Sequence, residues 1–185
     1  MPKKPELVIV GGPNGVGKTT IATQFAGEHG LDYLGTDQIV SDLELNEIQA
    51  GKVFFKRLEK YLQSKKSVVI ESTLSGTGLL KRVEKFRKKG YTIVILFVFL
   101  DSVQLCKRRI KIRVKKGGHN VPPQDVERRF KRSIKNFWSK YRFIADSWEI
   151  IYNGKERPVE AVVTEDQKQI IYDTQYFEIF RRLVA

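Results

Sequence analysis

Eight consecutive residues, Gly12-Pro13-Asn14-Gly15-Val16-Gly17-Lys18-Thr19, fit the pattern G-x-x-x-x-G-K-[ST] without a gap. The residue types specify a chemistry. Glycines let the backbone curl until successive N–H groups point inward, at the spacing of phosphate oxygens. A helix that begins at Lys18 adds the positive end of its dipole. Lys18 is then placed to reach the β and γ phosphates, Thr19 to hold a magnesium ion, Mg²⁺, and Thr20 to touch the α phosphate. The expected ligand is ATP·Mg²⁺, bound by residues 12–20. A ligand-free glycine turn would need none of this pattern.

The loop names the ligand but not its fate. A small-molecule kinase, a nucleic-acid-stimulated ATPase and a switch GTPase all begin this way. The guanine-reading string Asn-Lys-x-Asp is absent, which argues against the GTPase. Leu74-Ser75-Gly76-Thr77-Gly78 loosely matches the Leu-Ser-Gly-Gly-Gln string of transporter ATPases, yet it directly follows an apolar run where that string would open a helix. A kinase needs more: an acceptor hydroxyl near the γ phosphate, a carboxylate to orient or deprotonate it, and cations to neutralise the moving group. Asp37 and Glu71 are the carboxylates in position. Asp37 reads either as that base or as the N-cap of a helix starting at Gln38. Glu71 closes a buried run, where a carboxylate is costly unless it meets a ligand, a metal or a donor.

The elements that must position these groups follow from the pattern of apolar runs. Leu7–Val10, Tyr33–Thr36, Val68–Ile70, Thr92–Leu100 and Trp148–Tyr152 read as strands. Helical stretches fall between them, over about 18–28, 46–63, 78–89, 103–116 and 124–141. Strands alternating with helices predict an α/β fold, with a central, mostly parallel five-stranded sheet flanked by helices. Segments 159–164 and 168–173 are expected to pair as a C-terminal hairpin across Glu165-Asp166-Gln167, ahead of a last helix at 175–183. In such sheets ligands collect at the carboxyl ends of the strands, where the glycine loop, Asp37 and Glu71 all fall.

Composition narrows the choice. The chain has 185 residues with 34 Lys+Arg, 21 Asp+Glu and a net charge of +13. Residues 81–142 carry 20 of those basic residues and only 4 of the acidic ones. A basic block serves nucleic acid, an anionic membrane or a phosphorylated small ligand, or it is simply a solvated helix face. Lys81, Lys85, Lys88 and Lys89 read as solvated. The arginine-rich segment 107–132 reads as a lid, since two basic helices there flank Gly117-Gly118-His119-Asn120-Val121-Pro122-Pro123 and arginine forks suit phosphate oxygens. An ordinary helical hairpin is the bland alternative. The block lacks interleaved aromatic and basic residues, which weighs against a nucleic-acid platform. No apolar run approaches the ~20 residues of a membrane span. One cysteine, Cys106, excludes an internal disulfide, and a reducing, cytoplasmic setting without a membrane partner is expected. Cys106, Trp138 and Trp148 read as packing residues. The expected organisation is one domain over residues 1–185.

Taken together, the strings Gly12 to Thr20, Thr36-Asp37, Glu71-Ser72-Thr73-Leu74-Ser75-Gly76, Arg113-Val114 with Gly117-Gly118-His119-Asn120-Val121-Pro122, and Arg128-Arg129-Phe130-Lys131-Arg132-Ser133 with Asn136 resemble the zeta-toxin family of P-loop kinases. The likeness is to its small bacterial branch, often labelled "predicted ABC-type ATPase", and spans most of residues 7–153. It implies a P-loop NTPase kinase-like fold and transfer of the ATP γ-phosphate to a hydroxyl of a small acceptor. A nucleotide sugar such as UDP-N-acetylglucosamine is one such acceptor. By matched position, Asp37 is the activating base, Glu71 and Thr73 contact the acceptor, and Arg113 clamps the transferring phosphate. Where larger relatives carry a second lid arginine this chain has roughly His119, so Arg128 or Arg129 would supply the missing charge. Some relatives are toxins, which implies a separate antitoxin protein as partner. The alternative is a nucleic-acid-binding ATPase or polynucleotide kinase that uses the 81–142 block.

Overall fold

Leu7-Val8-Ile9-Val10 leaves no polar residue for a solvent face. In the computed structural model, which describes residues 4–165 and 168–185, these four are fully buried at the centre of strand β1 (Glu6–Gly11). The chain continues through α1 (Lys18–His29), β2 (Asp32–Leu34), α2 (Thr36–Leu43), α3 (Glu47–Ser64), β3 (Val68–Ser72), α4 (Leu80–Lys88) and β4 (Thr92–Phe99). It then forms α5 (Val103–Lys115), α6 (Pro123–Ser139), a single 3₁₀ turn (Tyr141–Phe143), β5 (Ser147–Tyr152), β6 (Val159–Glu165), β7 (Lys168–Ile171) and α7 (Thr174–Val184).

The strands form one seven-stranded sheet in the order β2-β3-β1-β4-β5-β6-β7. The first five of that order are parallel, as expected, and β6 and β7 are antiparallel additions. The expected hairpin thus forms and extends the central sheet by pairing β6 to β5. Residues 166 and 167 of its expected turn lie outside the described residues. From β1 the chain runs to β2 and β3 on one side and to β4 on the other. The sheet therefore has its switch point beside β1, and a crevice opens at the carboxyl end of that strand.

The helix boundaries have local causes. Asn46 accepts from the Gln49 amide while the Gln49 side chain accepts from the Asn46 amide, a reciprocal cap that fixes the start of α3. Ser102 caps α5 and Asp173 caps α7 in the simpler way. Pro123 occupies the first turn of α6, where a missing amide proton costs nothing. The connection 116–122 separates α5 from α6, as the glycine and proline pairs predict.

One boundary differs from the sequence reading. Helix α2 begins at Thr36 with Gly35 as its cap, so Asp37 lies in the first helical turn and caps nothing. The strand before it is correspondingly shorter, because Gly35 breaks it. Behind the sheet, α6 and α7 close an aromatic cluster: Phe97 stacks on Phe137 with centroids 4.2 Å apart, and Phe180 meets both rings edge-on. Trp148 is buried there as expected, whereas Trp138 is half-buried with the Arg142 guanidinium over its ring.

Candidate functional site

The glycine loop connects β1 to α1, and its shape is forced. Gly12, Gly15 and Gly17 have φ of 142°, 83° and 96°, values that side chains rarely adopt. Neighbours close on the same positions. A Cβ at Gly12 would lie 2.1 Å from the Val98 carbonyl oxygen, and one at Gly15 would lie 2.5 Å from the Cys106 carbonyl oxygen on α5. The Gly12 amide donates to the Ser72 carbonyl at 3.2 Å, so the loop is also tied to the end of β3. Gly12, Pro13 and Val16 are buried, while Asn14, Gly15, Gly17, Lys18, Thr19 and Thr20 line a cavity of about 500 Å³.

Lys18 folds back over this loop, its Nζ donating to the Pro13 carbonyl at 3.0 Å. Burial holds its pKa below the ordinary lysine value, against the opposing pull of the Glu71 and Asp37 charges. Thr19 Oγ1 donates to Glu71 Oε2 at 2.9 Å. A hydroxyl beside a carboxylate is an oxygen donor set that suits Mg²⁺, which takes one or two protein oxygens and completes its shell with phosphate and water. Among the described residues no cluster of three or more His, Cys, Asp or Glu forms a dedicated metal cage.

Asp37 faces the same cavity from the first turn of α2, with its side chain 54% exposed. Across the opening stands Arg113 of α5. Its Nη1 donates to Asp37 Oδ2 at 3.5 Å and its Nη2 to the His119 carbonyl at 2.7 Å. A Cβ at Gly118 would lie 2.5 Å from Arg113 Cγ, so the glycine pair lets the connection wrap that arginine. Arg113 Nε and Asn14 Oδ1 are shielded from water without a hydrogen-bond partner, an unfavourable state for polar atoms that a bound anion or donor would relieve.

The other expected residues divide. Glu71, Thr73 and His119 line the cavity beside Arg113. Thr73 Oγ1 and Ser75 Oγ share a hydrogen bond of 2.9 Å, and the turn after β3 is held by Asn136 and Tyr141, which donate to the Leu74 and Gly76 carbonyls. Asn136 thus supports the site from behind. Arg128 is not brought in: it pairs with Asp125 one turn away on α6 at 2.6 Å, and Arg109 and Arg129 line the cavity instead. The helical period explains this, since neighbouring arginines on one helix cannot face the same way.

Sequence reasoning missed several groups. Asn153 donates from Nδ2 to the Val16 carbonyl at 2.7 Å and presses on Gly17. Its only signal was a position just beyond a strand's carboxyl end. Val40, Gly51, Phe54, Phe55 and Leu79 supply apolar lining to the same cavity. Cys106 is packed as expected, and burial pushes its thiol up to about 12 despite Lys18 and Arg109 nearby.

Comparison with known proteins fits this geometry. Residues 7–137 match the AAA_33 family, described as an AAA domain. A protein of Haemophilus influenzae is 27% identical over 64% of this chain and 88% of its own length. A guanylate kinase of Malacoplasma penetrans is 27% identical over 60% of this chain and 70% of its own. Among solved structures, AvrRxo1-ORF1 in complex with AvrRxo1-ORF2 and ATP superposes with a TM-score of 0.76 at 17% identity. That match covers all of this chain, which spans only 64% of the solved one. A chain of the PezAT toxin–antitoxin system of Streptococcus pneumoniae gives a TM-score of 0.66 at 16% identity, over 98% of this chain and 78% of that one. No helix among the described residues is long and apolar enough to cross a membrane. With a glycine loop at the switch point of a mostly parallel sheet and a family match over 7–137, this chain belongs to the AAA_33 family of AAA domains, built on a P-loop kinase-like fold.

Proposed function

We propose that the protein is an ATP-dependent phosphotransferase of the zeta-toxin type, moving the γ-phosphate of ATP to a hydroxyl of a small acceptor. The observation that carries this reading is the placement of a carboxylate, Asp37, and a phosphate cradle in one cavity, with Arg113 paired to that carboxylate. In the reaction the acceptor oxygen bonds to the γ phosphorus as the bond from phosphorus to the ADP oxygen breaks, and the hydroxyl proton passes to Asp37. Lys18 and the loop amides hold the phosphate tail, and Arg113 offsets the charge that spreads over the transferring oxygens. Glu71 and Thr73 orient the acceptor. Bound Mg²⁺, which Thr19 would hold, supplies charge neutralisation of the phosphates. The connection between α5 and α6, with the helix ends on either side, acts as the lid over about 107–132 and excludes water.

The acceptor class is a phosphorylated or sugar-bearing small molecule, with a nucleotide sugar such as UDP-N-acetylglucosamine the first candidate. The setting is cytoplasmic, the chain acts as a single kinase domain, and a separate antitoxin protein is its partner. Support for that partner comes from the company in which the solved relatives were crystallised, a toxin–antitoxin system and a two-protein complex.

The test is transfer of labelled γ-phosphate from ATP to a panel of nucleotide sugars, nucleosides and oligonucleotides. Asp37→Asn should keep ATP binding and lower transfer by roughly 10²–10⁴. Labelling of RNA or DNA ends while every small molecule stays unmodified would replace this reading with the polynucleotide-kinase one. In that case binding would weaken steeply with salt.

A further inference from the structure

Strand β2 ends in Tyr33-Leu34 and Gly35 follows it, a segment with no task in the proposed reaction. The Tyr33 hydroxyl lies near Glu71, which lines the cavity. The oxygen is shielded from solvent, and no donor or acceptor completes a hydrogen bond with it. Its surroundings are polar all the same. A Cβ built on Gly35 would lie 2.1 Å from the Tyr33 hydroxyl oxygen and 3.1 Å from Glu71 Oε1, so phenol and carboxylate share the small space that the missing side chain leaves open. Burial first, then the charge of Glu71 and the approach of its carboxylate to the phenol, and then the charge of Asp37, hold the phenol well above its ordinary pKa, so it keeps its proton and remains a donor.

A buried hydroxyl without a completed hydrogen bond is unfavourable, and in the ligand-free protein the phenol only leans toward Glu71 and Thr19: the full hydrogen bond to Glu71 comes from Thr19, at 2.9 Å. That changes if Thr19 leaves. On the kinase reading, on which this inference rests, the Thr19 hydroxyl turns to the metal ion at the nucleotide phosphates. Glu71 then loses its donor in a half-buried place.

We propose that Tyr33 is a positioning residue, a donor held in reserve that takes over Glu71 when nucleotide binding draws Thr19 away. Handing the carboxylate from one hydroxyl to another keeps Glu71 aimed at the acceptor while the metal site fills. It also explains Gly35, since any side chain there would displace the phenol.

The test compares Tyr33→Phe with the wild type, using a non-hydrolysable ATP analogue with and without Mg²⁺. The free variant should melt at least as high as the wild type, because it loses only an unpartnered hydroxyl. With Mg²⁺ its affinity for the analogue should fall roughly tenfold, the scale of a hydrogen bond to a charged group. Without Mg²⁺ the two proteins should bind alike, because Thr19 then stays on Glu71. Equal affinity with Mg²⁺ would overturn the proposal. A second arm needs no nucleotide. In a Thr19→Val background Glu71 lacks its first donor from the outset, so adding Tyr33→Phe should lower the melting temperature by roughly 3 °C or more, although it is harmless in the wild type. Additive behaviour of the pair would overturn the proposal, whereas coupling in this arm alongside wild-type nucleotide binding that ignores Mg²⁺ would overturn the kinase reading while leaving the Tyr33–Glu71 contact in place.

Discussion

The two walls of the cavity are held in place by different means. On the phosphate wall the binding groups belong to one unbroken stretch, and backbone holds it: three glycines at positive φ, two of them packed against the carbonyls of Val98 and Cys106. The rest of the lining comes largely from α2, α3, the end of β3 and α5, and side chains hold those groups in place. Asp37 and Arg113 meet at 3.5 Å with 54% and 38% of their side chains exposed. A pair so open to water contributes less than about 1 kcal/mol to stability. On the proposed reading the phosphate cradle is therefore set by folding, and the wall that would take the acceptor is held less firmly. Changes to the first should register as lost stability and lost nucleotide binding together, and changes to the second as lost transfer in a protein that still folds.

Gly12→Ala is the strongest way to break this comparison. The new methyl would need φ near 142° and would overlap the Val98 carbonyl oxygen of β4, the strand beside β1. That contact is with backbone, and the next neighbour is the buried Val16 side chain, so little can yield. The expected cost is at least about 3 kcal/mol of stability with loss of ATP binding, measured by denaturant melts and calorimetric titration. A variant that melts normally and binds ATP would mean that the cradle is not fixed in advance.

A smaller effect comes from pH, and it reports on Lys18, which stands between the walls. Burial lowers its pKa from 10.5, while phosphate oxygens favour the charged form. Binding a triphosphate must then raise that pKa, and the complex takes up a proton. The sign follows: affinity is full where Lys18 is already charged in the free protein, and it falls as pH rises through the lowered value toward 10.5. Titration of ATP in two buffers of different ionisation heat, on the alkaline side of neutrality, measures that uptake directly. Lys18→Arg, which stays charged throughout, should remove the dependence.

The same contrast explains what could be read from the chain alone. Strand β1, the loop and α1 were legible because each signal is local: an apolar run, glycines at fixed spacing, a helix start. The five parallel strands and the break between α5 and α6 were legible for the same reason. The acceptor wall was legible only in part. Asp37 and Glu71 follow or close apolar runs, but Tyr33, Asn153, Arg109 and Gly51 belong to no string, and only the three-dimensional packing brings Arg109 and Gly51 to the cavity, Tyr33 to Glu71 and Asn153 to the glycine loop. That β6 would pair with β5, making seven strands of five, is likewise a contact between segments that carries no local mark. Of the alternatives Arg128 and Arg129 it is Arg129 that lines the cavity, a choice the sequence leaves open because membership in a basic run says nothing about which way a helical side chain faces.

Gly51 gives the smallest expected effect and the sharpest contrast with Gly12. It sits inside α3, where glycine costs about 1 kcal/mol relative to alanine. Its φ is not positive, and a Cβ there would meet nothing within 4 Å, so neither conformation nor crowding requires the glycine. It does line the cavity, beside Phe54 and Phe55. Gly51→Ala should therefore stabilise the fold by about 0.5–1 kcal/mol, raising the melting temperature by roughly 1–4 °C, with ATP affinity unchanged. On the proposed kinase reading transfer should fall, because the methyl takes space on the wall that would hold the acceptor. Thermal melts, ATP titration and the transfer assay separate the three quantities. A glycine that weakens its own helix while lining a ligand wall is the mark of a residue kept for the room it leaves, and a variant that gains stability with no loss of transfer would return Gly51 to the ordinary surface of α3.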